Sequence, residues 1–195
     1  MDIASQSSPR TGRKMKLTYF ILDVFTRDRL SGNPLAVVLR ADELSTTRMQ
    51  AIAGEFNLSE TVFVCAPKGE RHTAALRIFT PVSELPFAGH PTVGAAVLLG
   101  LQHKQSAVRL ELGVGNVTAV MERIDKRTGE AKFALPKKPE RVGELSDLHG
   151  IAERLGISAE DIGFDDMMPA QYSAGNPFYL VPLRDASLLS EMTLE

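Results

Sequence analysis

Glu60 and His90 are the side chains whose types and surroundings most suggest chemistry. Glu60 follows Phe56–Ser59, which reads as the end of a helix, and precedes the apolar run Thr61–Ala66. His90 lies in Ala88-Gly89-His90-Pro91, directly before a second apolar run. A carboxylate beside apolar walls holds its proton more tightly than one in water, so it can act as base and acid in turn. An imidazole can relay a proton near neutral pH or orient a partner. Gly89 permits close backbone approach, and Pro91 suits the first turn of a helix. The backbone N–H groups of such a helix start bind carboxylates and other anions. Each residue also has a plainer reading. Glu60 alone reads as a solvated turn residue, His90 as a packing or capping side chain, and Ser59 as a cap or a ligand contact.

Other reactive side chains point nowhere in particular. Cys65 falls inside an apolar strand, the setting of a structural thiol rather than a nucleophile. His72, His103 and His149 are scattered, without metal-ligand spacing. There is no phosphate-binding glycine loop and no dinucleotide fingerprint. Neither a metal nor a cofactor is expected.

The elements that must position Glu60 and His90 follow from the apolar pattern. Leu17–Phe25 and Leu35–Arg40 read as strands, the first buried, separated by the turn cluster Ser31–Pro34. Met49, Ile52, Ala53 and Phe56 recur at helical spacing, with Asp42 or Ser45 as the cap. Thr61–Ala66 and Thr73–Thr80 read as strands. His90–Gln102 is apolar nearly all round, which marks a buried central helix. Ala107–Leu112, Asn116–Arg123 and Ala131–Leu135 read as three more strands. Few helices and consecutive strands argue for an α+β domain, a curved mixed or antiparallel sheet around one helix. Pro136–Gly143 is read as a linker, so residues 17–135 form the first domain and 136–195 a linker and the opening of a second. In that second part Leu145–Gly156 reads as a helix and Phe178–Leu183 as a strand.

Composition sets the outer bounds. The chain has 195 residues, 44% apolar and 24% charged, enough for a sizeable core and ordinary for a globular protein. A net charge of −2 leaves no basic excess for nucleic acid. The single cysteine allows no intrachain disulfide and suits a reducing cytoplasm. No apolar run is long enough to cross a bilayer as a helix. Residues 1–16 are polar and basic and are read as a disordered leader, with Met15 as an alternative start.

Ser31–Leu39 and Ala174–Leu183 share a Gly-Asn-Pro turn followed by an apolar strand. Chance is one explanation and a duplicated domain the other. Under duplication, the second copy's counterpart of Gly89 would fall beyond Glu195.

Taken together and in order, "SGNPLAVV", "FNLSETVFV" and "RIFTPVSELPFAGHPTVGAA" closely resemble the PhzF-like phenazine biosynthesis family. The resemblance is strong over about residues 17–134 and weaker beyond. It implies a diaminopimelate-epimerase-like fold, in which two similar domains each wrap a sheet around a central helix and the two helix starts face a shared cleft. It also implies cofactor-free chemistry. The family's namesake isomerises trans-2,3-dihydro-3-hydroxyanthranilate by moving a proton within the ring. The related epimerases and racemases use two cysteines in the cleft; Glu60 matches the position of the first, and Cys65 is not at a matching place. His90 matches the family's active-site histidine. Ser59, Gly89 and the helix start at Pro91 and Thr92 fall where the family contacts substrate, and Asn33 matches its cleft-side turn. The family's second acid, an aspartate at a Gly-Ser-Ala-rich helix start, has no counterpart here, since Asp165, Asp166 and Asp185 lack that context. The resemblance therefore implies an isomerase acting on a small carboxylate-bearing substrate and impaired by truncation. The alternative is an inactive half-protein that binds a partner or associates with itself, a homodimer being the simplest form. No nucleic acid or membrane partner is expected.

Overall fold

The computed structural model describes residues 16–193. The leader read at 1–16 lies outside these residues except for Lys16. The main sheet has eight strands: β1 (Thr18–Val24), β2 (Asn33–Leu39), β3 (Glu60–Cys65), β4 (Ala74–Phe79), β5 (Glu84–Leu85), β6 (Ala107–Leu112), β7 (Gly115–Arg123) and β8 (Gly129–Phe133). Their order is β1-β2-β3-β4-β6-β7-β8, with β5 paired to β4. The pairs β2–β3 and β4–β6 are parallel, and the others are antiparallel.

Helix α2 (Gly89–His103) is apolar on every side and so must be surrounded. It touches β1, β2, β3, β6, β7 and β8, so the twisted sheet curls around it. Leu35, Val37, Val62, Ile78, Leu99 and Leu110 belong to this inner core. Gly94 lets the helix approach β2, since a Cβ there would lie 2.6 Å from Leu35 Cδ2. The outer face of β2–β4 is covered by α1 (Thr46–Phe56), where Met49 and Ala53 pack with Val38, Phe63 and Phe79. Residues facing the two cores alternate along β2 and β3, as the two-residue period of a strand requires.

The local devices differ in part from the expected ones. Ser45 caps α1 by accepting from the Arg48 N–H, whereas Asp42 instead accepts from the Ala66 N–H at 2.6 Å. Strand β1 is an edge strand rather than a fully buried one: Tyr19 and Ile21 are exposed while Phe20 and Leu22 pack inward. The edge position was decided by pairing, which the apolar composition of β1 does not encode.

Residues after the main sheet form a smaller sheet of order β11-β10-β9, from β9 (Glu140–Glu144), β10 (Ala170–Ser173) and β11 (Pro177–Leu180). The helices α3 (Leu148–Leu155) and α4 (Leu188–Glu191) accompany it, with a short 3-10 turn at Ala159–Asp161. Strand β9 occupies much of the stretch read as a linker. Among the described residues no helix is long and apolar enough to cross a membrane.

Candidate active site

The parallel pairing of β2 and β3 decides where the site lies. Leu35 sits opposite Glu60, so Asn33 and Pro34 come to the same end of the sheet as Ser59 and Glu60. The antiparallel β1–β2 pair adds the end of β1, with Val24 opposite Asn33. Along β3, Glu60 shares the face of Val62 and Val64, which belong to the core around α2. Glu60 therefore points toward the helix, and the start of α2 meets it there.

His90 Nδ1 lies 3.0 Å from Glu60 Oε2. The His90 side chain is 7% exposed and that of Glu60 19%. The ring N–H is not aligned with the carboxylate, and Glu60 Oε2 and His90 Nε2 are both buried without a hydrogen-bond partner. Buried polar atoms are normally satisfied by protein, water or a ligand, so two orphans on adjoining side chains leave unused bonding capacity at this end of the sheet. Burial lowers the pKa of His90 below the usual histidine value, opposed by the Glu60 charge and the Pro34 carbonyl. The imidazole is thus neutral at neutral pH, with one nitrogen to donate and one to accept. Thr61 Oγ1 is a third buried orphan, on the opposite face of β3.

The helix start itself is open. Ala88 precedes α2 in an extended conformation, with no side chain capping the first turn. Pro91 has no N–H, which leaves Gly89 and His90 as the donors there. A Cβ at Gly89 would meet nothing within 4 Å, so the space before the helix is clear. Thr92 belongs to the same first turn. It is fully buried and its hydroxyl donates to the Ala88 carbonyl at 2.7 Å, so it shapes the helix start and offers no free donor. Asn33 is half-buried and Ser59 exposed, both beside Glu60 in the chain or in the sheet.

One residue of this end was not anticipated. Phe25 follows β1 with a left-handed backbone (φ 65°) and is 71% exposed. Its ring lies 6.3 Å from that of His90, tilted by 53°. A left-handed backbone is uncommon for a residue with a side chain, and here it sets an aromatic ring beside His90. The available signal was its position, an aromatic directly before the Thr26–Pro34 turn region. The turn also depends on Gly32, whose φ is 77° and whose added Cβ would lie 2.4 Å from the Val24 carbonyl.

Cys65 lies half-buried beneath α1, and burial and then Asp42 raise its pKa, which keeps it a thiol. Among the described residues no group of three or more His, Cys, Asp or Glu is placed to hold a metal ion.

The family model of phenazine biosynthesis-like proteins matches residues 22–195. The chain belongs to this family. An uncharacterized isomerase of Mesorhizobium japonicum is 43% identical over 180 residues, which cover 91% of this chain and 59% of that protein. The trans-2,3-dihydro-3-hydroxyanthranilate isomerase of Pseudomonas aeruginosa is 47% identical over 118 residues, 60% of this chain and 42% of that one. A phenazine biosynthesis protein of the PhzF family from Bacillus anthracis has the same fold, with a TM-score of 0.74 at 26% identity over 92% of this chain and 60% of the other. The chain thus spans less than two-thirds of the length of these relatives. The curled α+β sheet is the family's fold, and the Glu60–His90 pair is the candidate site of a PhzF-family chain.

Proposed function

We propose that this chain carries one wall of the active site of a cofactor-independent isomerase that moves a proton within a small carboxylate-bearing substrate. The observation that carries this reading is the pair of buried, unpartnered atoms, Glu60 Oε2 and His90 Nε2, at an uncapped helix start. Glu60 takes a proton from a carbon of the substrate. The electron pair of the broken C–H bond forms a new double bond to the neighbouring carbon, the pair of the existing double bond moves to its far carbon, and Glu60 returns the proton there. Nothing is oxidised or reduced, and no group leaves. His90, neutral, orients the carboxylate and accepts or donates one hydrogen bond through Nε2. The Gly89 and His90 N–H groups hold the substrate carboxylate, aided by the helix dipole. Asn33 and Ser59 flank the site, and Phe25 offers an aromatic surface beside His90. A reducing cytoplasm suits the lone Cys65.

The named activity of the Pseudomonas aeruginosa relative supplies the first substrate to try. The chain is incubated with trans-2,3-dihydro-3-hydroxyanthranilate in D2O and the ring protons followed by NMR. Slow double-bond migration is expected of a chain that carries one wall alone, and Glu60→Gln should slow it further, by about 100-fold or more. Migration at an undiminished rate in Glu60→Gln overturns the proposal.

A second reading is supported by β11, where Phe178, Tyr179 and Leu180 are all more than half exposed. An apolar edge strand favours association with another chain or another copy. Sedimentation at two concentrations tests the second possibility: a monomer at both removes self-association.

A further inference from the structure

The end of α2 remote from the Glu60–His90 pair holds a second constellation. His90 and His103 lie at opposite ends of the helix, about 20 Å apart at the α-helical rise. Beside His103 is an open cavity of about 300 Å³, lined by Arg71, His72, Gln105 and Arg109 among others. Its lining is polar, so an apolar ligand finds little to bury against.

The cavity's charges are assembled from separate elements. Arg71 comes from the turn before β4, Arg109 from β6 and His103 from the last turn of α2. The Arg109 guanidinium reaches the Arg71 carbonyl at 3.5 Å, which ties β6 to that turn. Neither arginine forms an ion pair among the described residues. Glu70 is the one acidic side chain lining the cavity. Two guanidinium groups sharing a cavity repel each other, and a bound anion relieves that repulsion.

His72 is held in place rather than merely near. Its Nδ1 lies 2.6 Å from Glu111 Oε1, and Glu111 also accepts from the Lys68 and Gly69 N–H groups. These backbone donors, followed by His72, hold the Glu111 carboxyl below the usual range. The His72 ring packs against Gly69, where an added Cβ would press on it. With Nδ1 fixed on Glu111, Nε2 is the imidazole nitrogen left for a ligand. The two guanidinium forks offer paired N–H groups to the oxygens of a tetrahedral oxyanion, and the anchored imidazole turns its accepting Nε2 toward a protonated oxygen of the same group.

We propose that this cavity binds a phosphate-class oxyanion through Arg71 and Arg109, with His72 Nε2 accepting from a phosphate O–H and the His103 ring beside it. The site is separate from the Glu60–His90 pair and does not rest on the isomerase reading. The ligand is either free inorganic phosphate or the phosphomonoester group of a small metabolite.

The four histidines of the chain give a direct readout. Their ring signals are followed by NMR while inorganic phosphate is added to the full chain in a buffer free of phosphate and sulfate. The His72 and His103 signals should move saturably while those of His90 and His149 stay fixed. Arg71→Ala and Arg109→Ala should each weaken binding roughly tenfold or more, and Arg109→Lys by less. Both arginines are exposed, and unchanged thermal unfolding of the variants shows that the fold is intact. Glycerol phosphate separates the sources: tighter binding than inorganic phosphate points to a phosphorylated metabolite, and equal or weaker binding to free phosphate. The proposal is overturned if no saturation occurs, if the double arginine variant binds as well as the unaltered chain, or if citrate matches both phosphates.

Discussion

Two turns of this molecule share the sequence Gly-Asn-Pro yet lead into strands with opposite fates. Gly32 and Gly175 both have positive φ, 77° and 131°. Both turns lead into a strand that pairs antiparallel with the one before, β2 with β1 and β11 with β10. There the likeness ends. Leu35 to Val38 of β2 are at most 1% exposed, because β1 and β3 flank the strand while α1 and α2 cover its faces. Phe178, Tyr179 and Leu180 of β11 are all more than half exposed at the edge of a three-stranded sheet. The asparagines differ as well. Asn33 lies half-buried beside Glu60, whereas Asn176 donates from Nδ2 to the Phe87 carbonyl at 2.6 Å, just ahead of α2. A local motif therefore makes the same hairpin twice, and its surroundings decide whether the strand is core and whether the asparagine is free for a ligand.

The largest test of this contrast is a pair of truncations read by chemical denaturation. Leu35→Ala should cost about 2–5 kcal/mol, since a fully buried side chain leaves a cavity. Leu180→Ala should stay within about 0.5 kcal/mol in a monomer. Equal losses would mean that β11 is buried in solution, most simply by a second copy.

A smaller effect separates the two asparagines. Asn176→Ala removes a hydrogen bond and strands the Phe87 carbonyl, at a cost of about 1 kcal/mol in unfolding free energy. Asn33→Ala should leave stability within about 0.5 kcal/mol and act on substrate affinity instead. The reverse pattern would exchange their roles.

The smallest expected effect is a pH dependence confined to the first region. Burial lowers the His90 pKa in the folded chain, so between that value and about 6.5 the unfolded chain binds more protons. His90 therefore destabilises the fold progressively as pH falls below about 6.5, and its contribution is unchanged above that. His90→Gln should flatten this part of the stability profile. A His90 ring signal titrating at or above the ordinary histidine value would contradict the neutral imidazole assigned to the site.

Much of this was readable from the residues. The apolar pattern of β2, β3, β4 and α2 was clear because a fully buried strand or helix has few polar positions to blur its period. Glu60 and His90 stood out because each polar side chain directly precedes such a run. The edge character of β1 was not readable, since Tyr19 and Ile21 are as apolar as their buried neighbours. Strand β5 escaped notice because it is only two residues long, and β10 because Gln171 and Ser173 interrupt its apolar residues. Phe25 was absorbed into the strand before it, because a left-handed backbone angle at a non-glycine residue leaves no trace in composition.

The sequence by itself determined the α+β class, the central helix and the candidate acid and imidazole, because these depend on local period and residue type. Only the tertiary structure decided that Glu60 and His90 meet. They belong to separate elements, β3 and α2, and the parallel register of β2 with β3 together with the curl of the sheet brings that strand end to that helix start. The same holds for Arg71, His72, His103 and Arg109: contacts between chain segments far apart in sequence placed them around one cavity, and no short-range pattern encodes such a meeting.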